Sequence, residues 1–155
     1  MTIQEHIKLL QGIHRDILGI KYAPNFPEPD LEGKVPAIIV QPAAGSMYAI
    51  TTGENSCLEI TQRYRTTLFY DKVGNNLYGK NISEMNEILS LMFETYHKTN
   101  IEGFDSVIGN YPYLAIDEAN PITHSGATII AFNSNDQYTA CDISIPIVDQ
   151  YELDI

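Results

Sequence analysis

The segment Gly74-Asn75-Asn76-Leu77-Tyr78-Gly79-Lys80-Asn81 comes nearest to a catalytic motif. A phosphate-binding loop needs Gly-x-x-x-x-Gly-Lys followed by Ser or Thr. The glycines let backbone N–H groups wrap the phosphates, the Lys neutralises them, and the hydroxyl holds magnesium. The spacing is met, and the segment lies between a predicted strand and a predicted helix. Asn81, however, stands where the hydroxyl is required, and the parallel strands and helices that surround such a loop are missing from the pattern. A glycine-bearing loop followed by an Asn helix cap is the better reading. Nucleotide binding through Gly74 to Lys80 is the enzyme-class alternative.

The remaining candidates are sparser. His6 and His14 lie eight apart, not the four apart that aims two imidazoles at one metal. His97 ends a predicted helix and His124 sits in a loop, so all four histidines read as surface or loop residues and no metal site is expected. Ser125, in Thr123-His124-Ser125-Gly126, lacks the Gly-x-Ser-x-Gly elbow. The adjacent acids Asp117 and Glu118 diverge into solvent in such a loop, which leaves calcium or acid–base work unsupported. Asn81-Ile82-Ser83 matches a glycosylation sequon, but the helix-cap reading is preferred. Cys57 and Cys141 are the only cysteines and read as two buried thiols. A bridge between them needs Cα atoms within about 7 Å, which sequence does not establish. The expectation is a protein without catalytic residues, cofactor or metal.

Arg63-Tyr64-Arg65 is the only local basic cluster. Two readings compete for it. A solvated sheet face is one; the other is a protein interface, because Arg is favoured at contacts and pairs well with carboxylates.

The elements that must position these residues follow from periodicity. Thr2 and Glu5 form a capping box, and Ile3, Ile7, Leu10, Ile13, Ile17 and Ile20 make one apolar stripe of a docked first helix. Residues 23–34 hold Pro24, Pro27 and Pro29 among three acids and read as a surface arm. Val35 to Val40 is a predicted strand ended by Pro42 and Gly45, and Met47 to Thr52 is a second. Cys57 to Tyr70 is the clearest strand. Leu58, Ile60, Tyr64, Leu68 and Tyr70 share one face, and Arg63, Arg65 and Thr67 share the other. At about 3.3 Å per residue it is longer than most strands. Asn81 is predicted to cap a second helix, with Glu84 at the capping-box position and Met85, Ile88, Leu89, Met92, Phe93 and Tyr96 as its buried stripe. Short strands at Phe104 to Ile108 and Tyr113 to Ile116 follow. A closing hairpin runs from Gly126–Phe132 through Asn133-Ser134-Asn135-Asp136 to Tyr138–Val148, and Asp149 to Ile155 reads as a mobile acidic tail. Strands joined by short turns, with two helices, predict an α+β two-layer domain spanning 1–155. Its mainly antiparallel sheet would carry both helices on one face.

The totals fit. At 155 residues, 44% apolar and 19% charged, the chain can bury a core unaided. No apolar stretch approaches the roughly 20 residues a membrane helix needs, and no secretory signal is visible. A net charge of −11 disfavours binding duplex DNA by charge neutralisation, and suits a surface past which DNA slides.

This layout resembles the tail-terminator, or tail-completion, proteins of long-tailed bacteriophages. The likeness is carried by the N-terminal amphipathic helix and by Val35-Pro36-Ala37-Ile38-Ile39-Val40 after a Pro-rich arm. It continues in the long Glu59–Tyr70 strand leading through a loop into the Asn81–His97 helix, and in the hairpin from Gly126-Ala127-Thr128-Ile129 to Ile147. Residues 23–34 and the acidic tail have no assigned counterpart. The resemblance implies a virion structural protein made in the host cytoplasm. Its copies would form a six-fold ring that caps the tail tube, ends tube growth and meets the head-side connector. DNA would pass through the lumen without specific binding, and no membrane is involved. Arg63, Tyr64 and Arg65, with Lys72, Asn75, Asn76 and Lys80 of the 71–80 loop, are then the expected interface residues. Another head–tail neck protein is the structural alternative.

Overall fold

A computed structural model describes residues 2–52, 55–74, 78–104, 112–133 and 136–153. Thr2 caps α1 (Ile3–Arg15) with the predicted box: its hydroxyl accepts the Glu5 N–H at 3.1 Å, and Glu5 accepts the Thr2 N–H at 3.3 Å. The helix stops short of Ile20. Consecutive turns, Ile17 N–H to His14 O and Ile20 N–H to Ile17 O, still keep Ile17 in the core.

Two predicted strands are one. β1 (Ala37–Thr52) runs through Pro42 and Gly45 as a bulge against β2 (Asn55–Lys72). Gly45 belongs there because a Cβ would lie 2.7 Å from Gln62 Oε1 and 3.0 Å from Thr61 O. Pro42 is tolerated because β1 is an edge strand, where a missing N–H breaks no inner ladder. After β2 comes α2 (Tyr78–Glu102), which starts before Asn81 and outlasts His97. Asn81 is therefore not its cap. It is buried within the helix and its amide reaches Asp71. Gly103, at φ +81°, ends the helix with its N–H on Thr99 O.

The sheet is antiparallel, ordered β1-β2-β6, where β6 is Gln137–Leu153. The other edge of β6 is covered in turn by β5 (Thr128–Ala131), β4 (Thr123–His124) and β3 (Tyr113–Leu114). The expected strand at Phe104 to Ile108 lies outside the described residues beyond Phe104. β6 also takes in the first five residues of the expected tail. Asp149 is buried because it faces α1 from the inner side of the sheet.

Both helices lie on one face of the sheet, as the pattern predicts. Leu10, Ile38, Tyr64, Leu68, Met85, Met92, Tyr96, Ile143, Ile145 and Ile147 fill the layer between them. The opposite face carries a second cluster, Ala37, Ile39, Phe69, Tyr138 and Ala140, which the Pro-rich arm covers with Leu31 at 0% exposure. Burying that side chain stabilises the arm by roughly 2 kcal/mol.

On the inner face, Thr66 is fully buried and its hydroxyl has no hydrogen-bond partner. A desolvated, unpaired hydroxyl costs about 1–3 kcal/mol. Thr66→Val keeps the β-branch and removes that cost. Urea unfolding should show a stability gain of about 1 kcal/mol, and a loss of similar size would mean the hydroxyl is satisfied after all.

The sheet register also settles the cysteines. Cys57 lies opposite Glu152 on β6, eleven positions along from Cys141, which lies opposite Leu68. That is about 36 Å at 3.3 Å per residue, far beyond the reach of a bridge within one chain. Cys141 is a buried free thiol whose pKa burial pushes up.

Candidate functional site

The alternation of β2 sends Arg63 and Arg65 to the outer face of the sheet. Arg63 Nη1 donates to Pro121 O at 3.2 Å and to Ser144 Oγ at 3.1 Å. Arg65 grips Asp142 with two bonds, Nε to Oδ1 at 3.1 Å and Nη2 to Oδ2 at 2.9 Å, and Thr67 donates to the same carboxylate at 2.6 Å. The Arg65 side chain is still 49% exposed. Beside this pair lies an open groove of about 440 Å³, lined by Ala43, Arg65, Thr123, Ser125, Asp142 and Ser144 among others. Because Arg65 already holds an own-chain carboxylate, reversing its charge would disturb the sheet as well as any partner.

Tyr64 does not belong with its neighbours. It points inward, is 0% exposed, and shares a hydrogen bond of 2.6 Å with His6 Nδ1. It has no surface to offer a partner, which the same alternation that places Leu68 inward already implies. Lys72 pairs with Asp136 at 3.0 Å, and that hydrogen bond raises its pKa. It lies roughly 23 Å along β2 from Arg65, so the structure does not gather the basic residues into one patch. Asn75 and Asn76 lie outside the described residues.

Lys80 lines a second cleft of about 410 Å³, toward the Lys72 end of β2, together with Lys21, Tyr70, Asp71 and Glu84. Its ammonium is 3.7 Å from Glu84, and Tyr70 donates a short hydrogen bond to that same carboxylate. A phosphate entering there meets the carboxylates of Asp71 and Glu84 as well as the lysines. Positions 75–77 of the glycine loop itself lie outside the described residues, and the surrounding sheet is antiparallel.

His124 and Ser125 form no dyad. The imidazole Nδ1 accepts the Gly126 N–H at 3.1 Å, while Ser125 Oγ donates to Gly126 O at 2.8 Å and accepts the Asp142 N–H at 3.0 Å. Among the described residues no group of His, Cys, Asp and Glu is arranged to hold a metal ion, and no helix is long and apolar enough to cross a membrane.

Two polar sites were missed because His6 and His14 were expected at the surface. Both are buried, at 2% and 0% exposure. His6 bridges Tyr64 and, through Nε2 at 2.8 Å, Asp149. His14 sits in a relay whose direction the donors fix. Gln11 Nε2 donates to Pro24 O at 3.0 Å and Ile38 O at 2.8 Å, so Gln11 Oε1 is left to accept from His14 Nδ1 at 2.9 Å. His14 Nε2 then accepts the Tyr96 O–H at 2.7 Å. One chain of bonds thus ties the arm, β1, α1 and α2 together, with a neutral imidazole at its centre. Burial, and then the nearby Arg15, lowers the His14 pKa from 6.5 to about 3, and burial holds the Tyr96 pKa well above its ordinary value. The signal was present in the spacing. His6, Leu10 and His14 recur every four residues, so they share the buried stripe.

No protein-family model matches this chain, and no curated protein does.

Proposed function

We propose that this chain is a ring-forming structural subunit of a long-tailed bacteriophage virion, the terminator at the head-proximal end of the tail. Six copies would cap the tail tube, end its growth, and present a surface to the head-side connector while DNA passes through the lumen. What supports this reading is the order of elements together with an open edge. Helix, paired long strands, second helix and closing hairpin follow one another in the order that the resemblance implies, and β1 and β2 run to 16 and 18 residues. Among the described residues, the outer edge of β1 pairs with no other strand, and its contacts are at its start, the Tyr22–Ala37 bridge and the Gln11 amide on Ile38 O. A long row of unpaired N–H and C=O groups is a template for another chain. The excess of acidic residues keeps the passing DNA from adhering.

A related neck protein would share this architecture and differ in its place in the particle. The nucleotide reading is disfavoured by Asp71 and Glu84 beside Lys80. Native mass spectrometry of the full chain over a concentration series, with and without Mg-ATP, separates the classes. The expected result is a six-subunit species with no nucleotide adduct. A nucleotide-bound monomer would overturn the proposal and promote the Gly74–Lys80 loop.

A further inference from the structure

We propose that neighbouring copies join head to tail, with Phe26 of one copy seated in the outer-face groove beside Arg65 of the next. This contact rests on the ring reading and gives it a specific interface.

The knob is preorganised. Phe26 is 73% exposed, yet the chain on both sides of it is fixed. Before it, Gln4 Nε2 donates to Asn25 O at 3.0 Å and Arg15 Nη1 to Asn25 Oδ1 at 3.2 Å. After it, the Glu28 N–H reaches the Tyr22 hydroxyl at 2.9 Å, and Leu31 is locked into the second core cluster. Pro24, Pro27 and Pro29 restrict the backbone further. A large aromatic side chain held out on a rigid loop loses little entropy on docking, and aromatic anchors of this kind dominate interface energies.

The socket is large enough. The groove measures about 440 Å³, whereas an apolar cavity of roughly 150 Å³ suffices for a benzene ring. Ala43 and Thr123 line it together with Arg65 and Asp142, which satisfy each other, so a ring entering it strands no charge. The charges match as well. The arm carries Glu28, Asp30 and Glu32 against Lys34, and the groove region carries Arg63 and Arg65 against Asp142. In a chain of net charge −11, the groove is where an acidic arm meets the one basic cluster in the sequence.

Knob and socket occupy different places on one molecule. The arm is tied beside the start of β1, while the groove reaches across the sheet to β4 at the far edge. Such a contact is heterologous, and repeating it generates a ring if the rotation closes.

The test is a complementation measured by sedimentation velocity on full-length chains. Phe26→Ala removes the knob, and Thr123→Trp fills the groove from an exposed position; thermal melts confirm that both fold. The unaltered chain is expected to assemble, and each variant alone to self-associate about tenfold or more weakly. Mixed together, the two variants retain one intact knob and one intact groove, and should form dimers and nothing larger. If the unaltered chain assembles and Phe26→Ala assembles equally well, this contact is wrong and the ring reading stands. If the unaltered chain stays monomeric at millimolar concentration, both fall.

Discussion

Acidification from pH 6.5 to 3 is expected to remove on the order of 4–5 kcal/mol of stability through His14 alone. The imidazole is fully buried and hydrogen-bonded as the neutral tautomer, with Nδ1–H on Gln11 and Nε2 accepting from Tyr96. A proton added at Nε2 would place an imidazolium charge in a site closed to solvent and turn the Tyr96 hydroxyl from donor to acceptor, costing it its present hydrogen bond. Burial therefore lowers the folded-state pKa to about 3 against 6.5 in the unfolded chain. Between these values the unfolded chain binds a proton that the folded chain refuses. The stabilising contribution is complete above pH 6.5 and falls as pH drops toward 3, at up to about 1.4 kcal/mol per pH unit. Urea unfolding at a series of pH values measures it. His14→Phe should be less stable at neutral pH, because Gln11 and Tyr96 lose their partner, but flatter below pH 6.5. Parallel profiles for the two proteins would show that His14 takes up its proton without cost.

Asp149→Ala is expected to destabilise the fold by about 3–5 kcal/mol, the range for breaking a buried pair from one side. The carboxylate only accepts, so His6 Nε2 carries the proton of the 2.8 Å bond, and Tyr64 meets the other ring nitrogen at 2.6 Å. With Asp149 truncated, an imidazole N–H is left in a site that is 2% exposed. Asp149→Asn retains an acceptor oxygen and should cost less than the Ala variant. Tyr64→Phe leaves the His6–Asp149 bond in place and should cost about 1–3 kcal/mol. The location of the damage is also predictable. Asp149 is where β6 is tied to α1, so amide exchange should rise first in the end of β6, through Leu153. A loss below about 1 kcal/mol for Asp149→Ala would mean the pair contributes little net stability.

Both predictions fall on residues whose surroundings the sequence reading misjudged, and the reason is physical. Periodicity reports which face a residue occupies, and it did so correctly along β2, where Tyr64 and Leu68 turn in and Arg63 and Arg65 turn out. Polarity then misled. A histidine on an apolar stripe reads as a surface group, yet partners on distant strands and helices satisfy it: Tyr64 and Asp149 for His6, Tyr96 for His14. Grouping Tyr64 with its arginine neighbours repeated the error in reverse, placing sequence adjacency above the alternation that separates them.

What the sequence alone determined is local. The capping box at Thr2 and Glu5, the amphipathic stripes of both helices, and the period-two pattern of β2 and β6 depend on residues within a few positions of one another. Together they fix an antiparallel α+β domain with both helices on one face. The tertiary structure decided whatever depends on register between remote segments. Pro42 and Gly45 bulge instead of ending β1 because β2 continues alongside. Leu31 pins the arm because the outer sheet face offers it an apolar floor. Cys57 and Cys141 are kept far apart by the β2–β6 ladder. Asp149 is strand because β2 continues alongside it at Ile60, and it is buried facing His6 on α1. Burial of a polar group is decided by whether a partner arrives, and a partner some 140 residues away along the chain leaves no local trace.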